Sequence, residues 1–306
     1  MGAIEVQGLR KTFPNGHTAL SDISFTIPSG QFVCVVGRSG AGKSTLMRCL
    51  NASLPLTAGD ARIDGRSVRE VTGARRRAYQ RSVGFIYQEF HLVGRLSALQ
   101  NVLTGRLGYI PAWRAVLGHF NRHDRQTALE ALERVNMLHK AIQRTDSLSG
   151  GEKQRVAIAR ALAQEPLVLL ADEPVANLDP ELADGVLRDL REAAREANVT
   201  TLVNIHNIAQ ARRYADRIIG VAQGRVVFDG TPDLFDANAE HAVYRFDQDP
   251  GGAVDLRREL DPHVVTDLEK AMKRALKKGT KPGSTEAETE PRELAVAESD
   301  TEGGAK

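Results

Sequence analysis

A glycine-rich octapeptide near the N-terminus has the residue types and spacing of a phosphate-binding loop. Its glycines let successive backbone N–H groups turn toward one anion, and a helix that follows directly adds positive potential. A lysine at the end of such a loop reaches the outer phosphates of a nucleotide, and the next hydroxyl is a ligand for Mg²⁺. We predict that this site is formed by Gly37, Arg38, Ser39, Gly40, Ala41, Gly42, Lys43, Ser44 and Thr45, with Ser44 as a metal ligand. The loop alone fits a kinase or a GTPase equally well.

Two adjacent carboxylates add a hydrolytic pattern further along the chain. Asp172 and Glu173 directly follow the apolar run Leu167 to Ala171. At the end of a buried strand, one acid belongs in the Mg²⁺ shell and the next beside the attacking water, where a general base is typically worth about 10² to 10⁴ in rate. Two acids before Pro174 are also ordinary turn residues. Together with the phosphate loop, they favour Asp172 as a metal residue and Glu173 as the catalytic base.

The composition restricts the class of protein. With 306 residues, 42% of them hydrophobic, the chain can bury a substantial core. A formal net charge of +2, from 41 basic and 39 acidic residues, argues against a dedicated nucleic-acid surface. The two cysteines, Cys34 and Cys49, have neither disulfide nor metal spacing, which fits a reducing cytoplasm. The apolar runs are far shorter than the roughly 20 residues of a membrane-spanning helix, so we expect no membrane pore from this chain alone.

Short apolar runs alternate with helical patterns, which predicts an α/β fold with a largely parallel, helix-covered sheet and an N-terminal antiparallel portion. Between about Gln88 and Gln164 the periodicity is helical, so we predict a helical subdomain inserted into the sheet domain. Strands are predicted at Ile4 to Leu9, Ile23 to Ile27, Phe32 to Val36, Val83 to Tyr87, Leu167 to Ala171, Thr201 to Ile205 and Ile218 to Val221.

The C-terminal part of the chain differs in amino-acid composition from residues 1–246, which we predict to be the ATPase-type domain. Residues 247–279 are predicted to be an extension with one amphipathic helix, which begins near Asp261 and ends at Gly279. Residues 280–306 have three basic and seven acidic side chains, a net charge of −4, and few apolar residues. We expect this acidic tail to be disordered.

The segment from Leu148 to Arg155, Leu-Ser-Gly-Gly-Glu-Lys-Gln-Arg, lies just before Asp172 and opens a predicted helix. It resembles the signature of the ABC ATPase family, and the motif order matches that family from about residue 4 to residue 246. The resemblance implies a P-loop NTPase fold with a RecA-like mixed sheet core. It also assigns roles beyond the motifs above: adenine stacking by Phe13, a metal and catalytic role for Gln88, a D-loop from Ala176 to Asp179, and γ-phosphate contact by His206.

Two positions depart from the commoner family pattern, because Phe13 replaces a tyrosine and Glu152 a glutamine. Both substitutions keep the physical role available: a phenyl ring still stacks on a purine, and a glutamate still fits the first turn of a helix. The family role of Gln88 is to link the metal site to the helical subdomain that touches a permease.

The resemblance further implies that the chain works in pairs. Ser149, the Gly150 and Gly151 amides and the following helix N-terminus form a second anion site, which one chain cannot close on its own nucleotide. Family members pack as head-to-tail homodimers around ATP and Mg²⁺, with Asp179 also at the nucleotide. The implied partners are an integral membrane permease and, indirectly, a periplasmic or lipid-anchored substrate-binding protein, with no nucleic acid. The implied location is the cytoplasmic face of the cell membrane.

An insert inside the helical subdomain bears on the transported substrate. The stretch from Leu107 to Phe120, which contains the chain's single tryptophan, Trp113, resembles the corresponding insert of phosphonate importer ATPases. This favours import of phosphonate or a related oxyanion. The insert also fits simple packing against a different permease, because substrate is selected outside the ATPase.

Two other functions remain open from the sequence. An ATPase for export or lipoprotein release has the same chemistry and differs only in its permease. A soluble ABC ATPase acting on nucleic acid or ribosomes usually has two cassettes or a long coiled coil between loop and signature. This chain has one cassette with about a hundred intervening residues, which disfavours that class.

Overall fold

The computed structural model describes residues 3–245, apart from the side chain of Ala74. The predicted extension at 247–279 and the predicted acidic tail at 280–306 lie outside the described residues. Within 3–245, ten strands form one sheet in the order β5-β4-β1-β2-β10-β9-β3-β8-β7-β6. The strands are β1 Ile4–Thr12, β2 Thr18–Ile27, β3 Phe32–Val36, β4 Ala58–Ile63, β5 Arg66–Ser67, β6 Val83–Ile86, β7 Val168–Asp172, β8 Thr200–Asn204, β9 Arg217–Ala222 and β10 Arg225–Gly230.

The half of the sheet from β9 to β6 is parallel, and it positions the candidate site. β3 lies between β9 and β8, and β7 lies between β8 and β6, with every one of these pairs parallel. β3, β7 and β8 are buried along their whole length, as near-continuous apolar runs predict. Because the strands are parallel, their carboxyl ends meet at one edge, where the phosphate loop, the two carboxylates and the region of His206 begin.

The N-terminal part is antiparallel, and the predicted mixed α/β sheet is confirmed. β1 pairs with β2 on one side and with β4 on the other. β4, β5 and β10 had no strand prediction. β4 includes Gly59 and Asp60, residue types with low strand propensity, and it forms because it adds to the open edge of β1. Gly59 allows that approach: a Cβ there would lie 2.1 Å from the Gly8 carbonyl oxygen.

Nine α-helices surround the sheet within the described range: α1 Lys43–Leu50, α2 Gly73–Ser82, α3 Ala98–Leu103, α4 Ala112–Val116, α5 Arg122–Arg134, α6 Gly150–Leu162, α7 Pro180–Glu196, α8 Ile208–Tyr214 and α9 Ala237–Tyr244. Helices α3 to α6 lie in the chain between β6 and β7 and form the inserted helical lobe. α1 begins two residues before the predicted start at Thr45, because Gly42 is its N-cap. None of the helices among residues 3–245 combines the length and apolarity needed to cross a bilayer.

Buried side chains form one apolar cluster on each face of the sheet. Along β3, Cys34 and Val36 belong to one cluster, while Val33 and Val35 belong to the other. This alternation is the two-residue period of a strand. The first cluster also contains the buried faces of α3, α5, α6 and α7, so the helical lobe is packed onto the sheet through a continuous core.

Candidate nucleotide-binding site

The phosphate loop joins β3 to α1, and two of its glycines are required by close contacts. Gly37 has φ +154°, and a Cβ there would lie 2.2 Å from the Val221 carbonyl oxygen. Gly42 has φ +105°, and its Cβ would lie 2.5 Å from the Ala19 carbonyl oxygen. Both contacts are shorter than any side chain tolerates, and Gly42 also has a backbone conformation that L residues rarely adopt. These contacts therefore restrict the loop to a backbone conformation in which its amides line a concave cradle.

Lys43 lies inside this cradle as a largely dehydrated cation. Its ammonium donates to the carbonyl oxygens of Gly37, at 2.7 Å, and Arg38, at 2.9 Å, and the residue is buried. Burial lowers the pKa of Lys43, while the charges of Glu173 and Asp172 act in the opposite direction. The two carbonyls have no formal charge, so the ammonium can still pair with a phosphate.

Ser44 and Asp172 are in direct contact, although 128 residues separate them. The Ser44 hydroxyl donates to Asp172 Oδ1 at 2.8 Å, and Asn204 Nδ2 donates to the same oxygen at 2.8 Å. Asp172 and Asn204 are register partners on β7 and β8. A hydroxyl and a carboxylate are the hard oxygen donors that Mg²⁺ prefers, and Mg²⁺ at a nucleotide commonly takes only one or two protein ligands. The residues present therefore fit a magnesium ion bound together with nucleotide phosphates.

Glu173 and His206 form a second pair at the same edge. His206 Nε2 and Glu173 Oε1 are 2.5 Å apart; because an ionised carboxylate only accepts, the imidazole N–H donates. Glu173 has φ +51°, an uncommon backbone conformation for a residue with a side chain. Strain of this kind is found at functional sites, where the surroundings hold it in place. The Tyr244 hydroxyl donates to the His206 carbonyl oxygen at 3.4 Å, which connects α9 to this pair.

A cavity of about 230 Å³ opens at this edge. Its aromatic end is formed by Phe13 and His17, whose rings are nearly parallel at 12° with centroids 6.3 Å apart. The buried Lys11 ammonium lies 5.3 Å from the Phe13 centroid, a cation–π contact that fixes one face of the ring. The cavity is lined by Phe13, His17, Ala19, Ser39, Gly40, Gly42, Lys43, Ser44, Thr45 and Glu173. A flat apolar ring at one end and an anion cradle at the other match a nucleotide in polarity.

Comparison with known proteins decides the family. The family model described as ABC transporter matches residues 20–176, just over half of the chain. The chain belongs to the ABC transporter family.

Relatives and solved structures agree with this membership. The "Phosphonates import ATP-binding protein PhnC" of Staphylococcus haemolyticus is 49% identical over 230 residues, which cover 75% of this chain and 90% of that protein. The protein of the same name from Staphylococcus saprophyticus is 46% identical over 244 residues, 80% and 95% of the two chains. The structure of cbiO1 from Clostridium perfringens, described as part of the ABC transporter complex cbiONQ, has a TM-score of 0.69 at 27% identity, covering 79% of this chain and 94% of its own. The ATP-binding cassette MJ0796, a dimer in a post-hydrolysis state with ADP and Pi, has a TM-score of 0.65 at 31% identity, covering 75% and 98%. This ABC transporter family member is therefore an ATP-binding ATPase subunit.

The signature of this ABC ATPase does not line the cavity of its own chain. Ser149 is the N-cap of α6, and its Oγ accepts from the Glu152 N–H at 3.3 Å. The Glu152 carboxylate returns the bond by accepting from the Ser149 N–H at 2.9 Å, a capping box. Because Oγ acts here as an acceptor, its own proton stays available for another acceptor. Gly150 and Gly151 follow in the first turn, so the predicted second anion site has its donors at a helix N-terminus.

Glu152 has a further partner outside the motif. Its carboxylate pairs with the Lys140 ammonium. That hydrogen bond and the bond from the Ser149 N–H lower the pKa of Glu152 to about 2, against the opposing effect of burial. Glutamate at this position therefore keeps the capping role expected of the commoner glutamine and adds an ion pair.

Gln88 and Asp179 also lie outside the cavity lining, as do Gly37, Arg38, Ala41, Asp172 and His206 of the loop and the sheet edge. Gln88 is exposed and stands two residues beyond β6, whose Ile86 is paired with Ala171. It therefore belongs to the same sheet edge as Asp172, without lining the cavity. Asp179 is the N-cap of α7, and its carboxylate accepts from the Leu182 N–H at 3.0 Å. Neither Asp179 nor Ser149 lines the cavity of its own chain, so their nucleotide contacts stay predictions.

Three residues near the site had no prediction from the sequence. Asn204 is a fully buried amide that ends β8 directly after Leu202 and Val203, and that polarity was a usable signal. His17 follows the Asn15-Gly16 turn and lies opposite Phe13, a proximity that only the turn geometry reveals. Tyr244 lies 38 residues after His206 in the chain, and nothing in the local sequence indicates their contact.

Proposed function

We propose that this chain is the ATP-hydrolysing subunit of an importer for phosphonates or a related oxyanion. It works as a homodimer at the cytoplasmic face of the cell membrane, with a separate integral permease and, indirectly, a periplasmic or lipid-anchored substrate-binding protein. The observation that carries ATP hydrolysis is the convergence of Lys43, the Ser44–Asp172 contact and the Glu173–His206 pair at one sheet edge. The substrate class rests on relatives named for phosphonate import, which this chain matches over 90% to 95% of their length.

The site residues have distinct tasks in this proposal. Phe13 stacks on adenine, and residues 37–45 hold the phosphates with their amides and with the Lys43 ammonium. When bound at Ser44, Asp172 and Gln88, Mg²⁺ neutralises charge on the phosphate oxygens.

Glu173 accepts a proton from the attacking water in the proposed reaction. The hydrogen bond from His206 holds the Glu173 carboxylate in one orientation and leaves its other oxygen for water. In a head-to-tail dimer, Ser149, Gly150, Gly151 and Asp179 of the second copy complete the opposite side of the nucleotide. Closure of the sandwich then depends on ATP, which couples nucleotide binding to the permease.

The helical lobe has a surface suited to a permease. Trp113, Val116 and Leu117 in and after α4 are 60%, 85% and 63% exposed. Contiguous exposed apolar groups of this kind indicate an interaction site. The same stretch has two exposed arginines, Arg114 in α4 and Arg122 at the start of α5. We assign this surface, the α4 face, to a cytoplasmic loop of the permease that presents apolar and acidic side chains.

The catalytic assignment is tested by Glu173→Gln in the purified protein. We expect ATP affinity to stay within about threefold, ATP-dependent dimers to accumulate, and hydrolysis to fall by about 10² to 10⁴. The matched control is Glu181→Gln, which neutralises an exposed glutamate in the first turn of α7 and leaves turnover unchanged. Rapid hydrolysis by Glu173→Gln would contradict the assignment of the base.

The transport assignment is tested by uptake of a radiolabelled alkylphosphonate. Cells that lack this chain are complemented with the wild type, Glu173→Gln or Glu181→Gln, and inward accumulation is measured with and without excess phosphate. We expect the wild type and Glu181→Gln to restore uptake and Glu173→Gln to fail. If cells with the wild type, Glu173→Gln or Glu181→Gln all accumulate the same amount of phosphonate as cells without this chain, the proposed substrate class is refuted. ATP-dependent loss of label from preloaded cells would instead indicate export.

A further inference from the structure

Asn204 ends β8 with a side chain whose polarity has no packing reason. The residue has no exposed surface, and Leu202, which shares its face of the strand, belongs to an apolar cluster with Leu170 and Val35. An amide among aliphatic side chains costs free energy unless its polar atoms are paired, and an apolar residue of the same size packs there without that cost. The amide therefore indicates a partner that an apolar residue does not serve.

That partner is the Asp172 carboxylate. Asn204 Nδ2 donates to Asp172 Oδ1 at 2.8 Å. The carboxylate only accepts, so the orientation of the amide is fixed: nitrogen toward Asp172, carbonyl oxygen away. The Ser44 hydroxyl donates to the same oxygen. Two donors on Oδ1 fix the χ2 angle of the Asp172 carboxylate. Because both of these side-chain hydrogen bonds, the ones shown among the described residues, are made to Oδ1, Oδ2 remains for another partner.

The second polar atom of Asn204 has no such partner. Its Oδ1 is buried and accepts no hydrogen bond among residues 3–245. A buried acceptor without a partner costs about 1–3 kcal/mol, a cost that an apolar residue at this position avoids. The amide is present in spite of this cost, which makes the bond from its nitrogen to Asp172 the reason for its polarity.

We propose that Asn204 is a positioning residue for the magnesium site, because its Nδ2 orients the Asp172 carboxylate. This inference rests on the proposed ATPase function and is independent of the transported substrate. Groups that orient metal-binding carboxylates affect metal affinity by about 10- to 100-fold without touching the metal. The expected defect is in the use of Mg²⁺, with the phosphate cradle unaffected.

The test measures nucleotide affinity with and without Mg²⁺, using a fluorescent ATP analogue and purified full-length protein. Asn204→Leu removes both polar atoms and keeps the branched shape and the number of heavy atoms of the side chain. The matched control is Thr200→Val, at the other end of β8, where an equally buried side chain loses the one hydrogen bond it accepts from the Gly30 N–H. We expect all three proteins to bind the analogue equally in EDTA, within about threefold.

With Mg²⁺ added, we expect the concentration that gives half of the Mg²⁺-dependent tightening to rise at least about tenfold in Asn204→Leu and to stay unchanged in Thr200→Val. An unchanged Mg²⁺ midpoint in Asn204→Leu, or an equal shift in Thr200→Val, would overturn the proposal. If Asn204→Leu does not fold, Asn204→Ala takes its place with the same expected shift. Failure of the ATPase function itself is recognised separately, because the wild type would then bind no nucleotide in EDTA or with Mg²⁺.

Discussion

The ion pair behind the signature gives a prediction whose size follows from the structure. Glu152→Gln removes the negative charge, while the glutamine side-chain oxygen still accepts from the Ser149 N–H and keeps the capping box. What is lost is the ion pair with Lys140. The substitution therefore separates the electrostatic part of the Glu152 contribution from the helix cap.

The size of this contribution follows from linkage. The hydrogen bond from Lys140 and, after it, the bond from the Ser149 N–H lower the Glu152 pKa from 4.5 to about 2, which corresponds to about 3 kcal/mol at full effect. The Glu152 and Lys140 side chains are 23% and 28% exposed, so solvent screens the pair and reduces this to about 1–2 kcal/mol. A lowered folded-state pKa stabilises the protein above the unfolded pKa. The stabilisation is complete above about pH 5 and is lost as the pH falls from 4.5 toward 2.

The assay is urea unfolding of the wild type and Glu152→Gln at pH 7, 5, 4 and 3, followed by helical circular dichroism. We expect the wild type to be more stable by about 1–2 kcal/mol at pH 7 and the difference to shrink steadily below pH 4.5. Lys140→Met provides the control: in that background Glu152→Gln should cost less than about 0.5 kcal/mol, because the partner is already absent. A difference that persists undiminished at pH 3, or is unaffected by Lys140→Met, would refute Lys140 as the main cause of the lowered pKa.

Three further outcomes are expected. Gly42→Ala places a Cβ 2.5 Å from a backbone oxygen, so it should lower nucleotide affinity at least tenfold and destabilise the protein by about 1–3 kcal/mol, both measurable by titration and thermal unfolding. Ser149→Arg should keep nucleotide binding by the monomer and abolish the ATP-dependent dimer seen by size-exclusion chromatography; normal dimers would exclude the head-to-tail arrangement. Trp113→Ala should reduce co-purification of the permease at least several-fold with unchanged ATP affinity, and equal recovery would remove the α4 face from the permease contact.

The sequence predicted those parts of the site whose chemistry is local. The phosphate loop is recognisable because glycine conformation, lysine reach and a helix N-terminus all act within nine consecutive residues. The Asp172–Glu173 pair was predicted from its place after an apolar strand. Their contact with Ser44 and His206 depends on strand order, and the resemblance to the ABC ATPase family supplied that order where the residues alone could not.

What the sequence missed depends on contacts between distant segments. β4 has a weak strand pattern and forms because the edge of β1 is available, a pairing that no local propensity encodes. Asn204 carried a usable signal, but its meaning depends on register with Asp172 across two parallel strands. Tyr244 reaches the His206 carbonyl from the last described helix, so its place at the site follows only from how α9 packs against the sheet.

The contacts around α6 explain how two distant parts of the site can respond together. Arg160, near the end of α6, donates to the carbonyl oxygens of His91, at 2.6 Å, and Phe90, at 3.0 Å, in the segment that follows Gln88. Burial lowers the pKa of Arg160, and these two bonds satisfy much of its guanidinium in a partly dry place. The same helix begins at Ser149, so the segment after Gln88 and the signature are bonded to opposite ends of one rigid element. Through these contacts the position of the segment after Gln88 is tied to the position of the signature, and the exposed α4 face belongs to the same lobe. We therefore expect any displacement of that segment to move the signature and the α4 face with it.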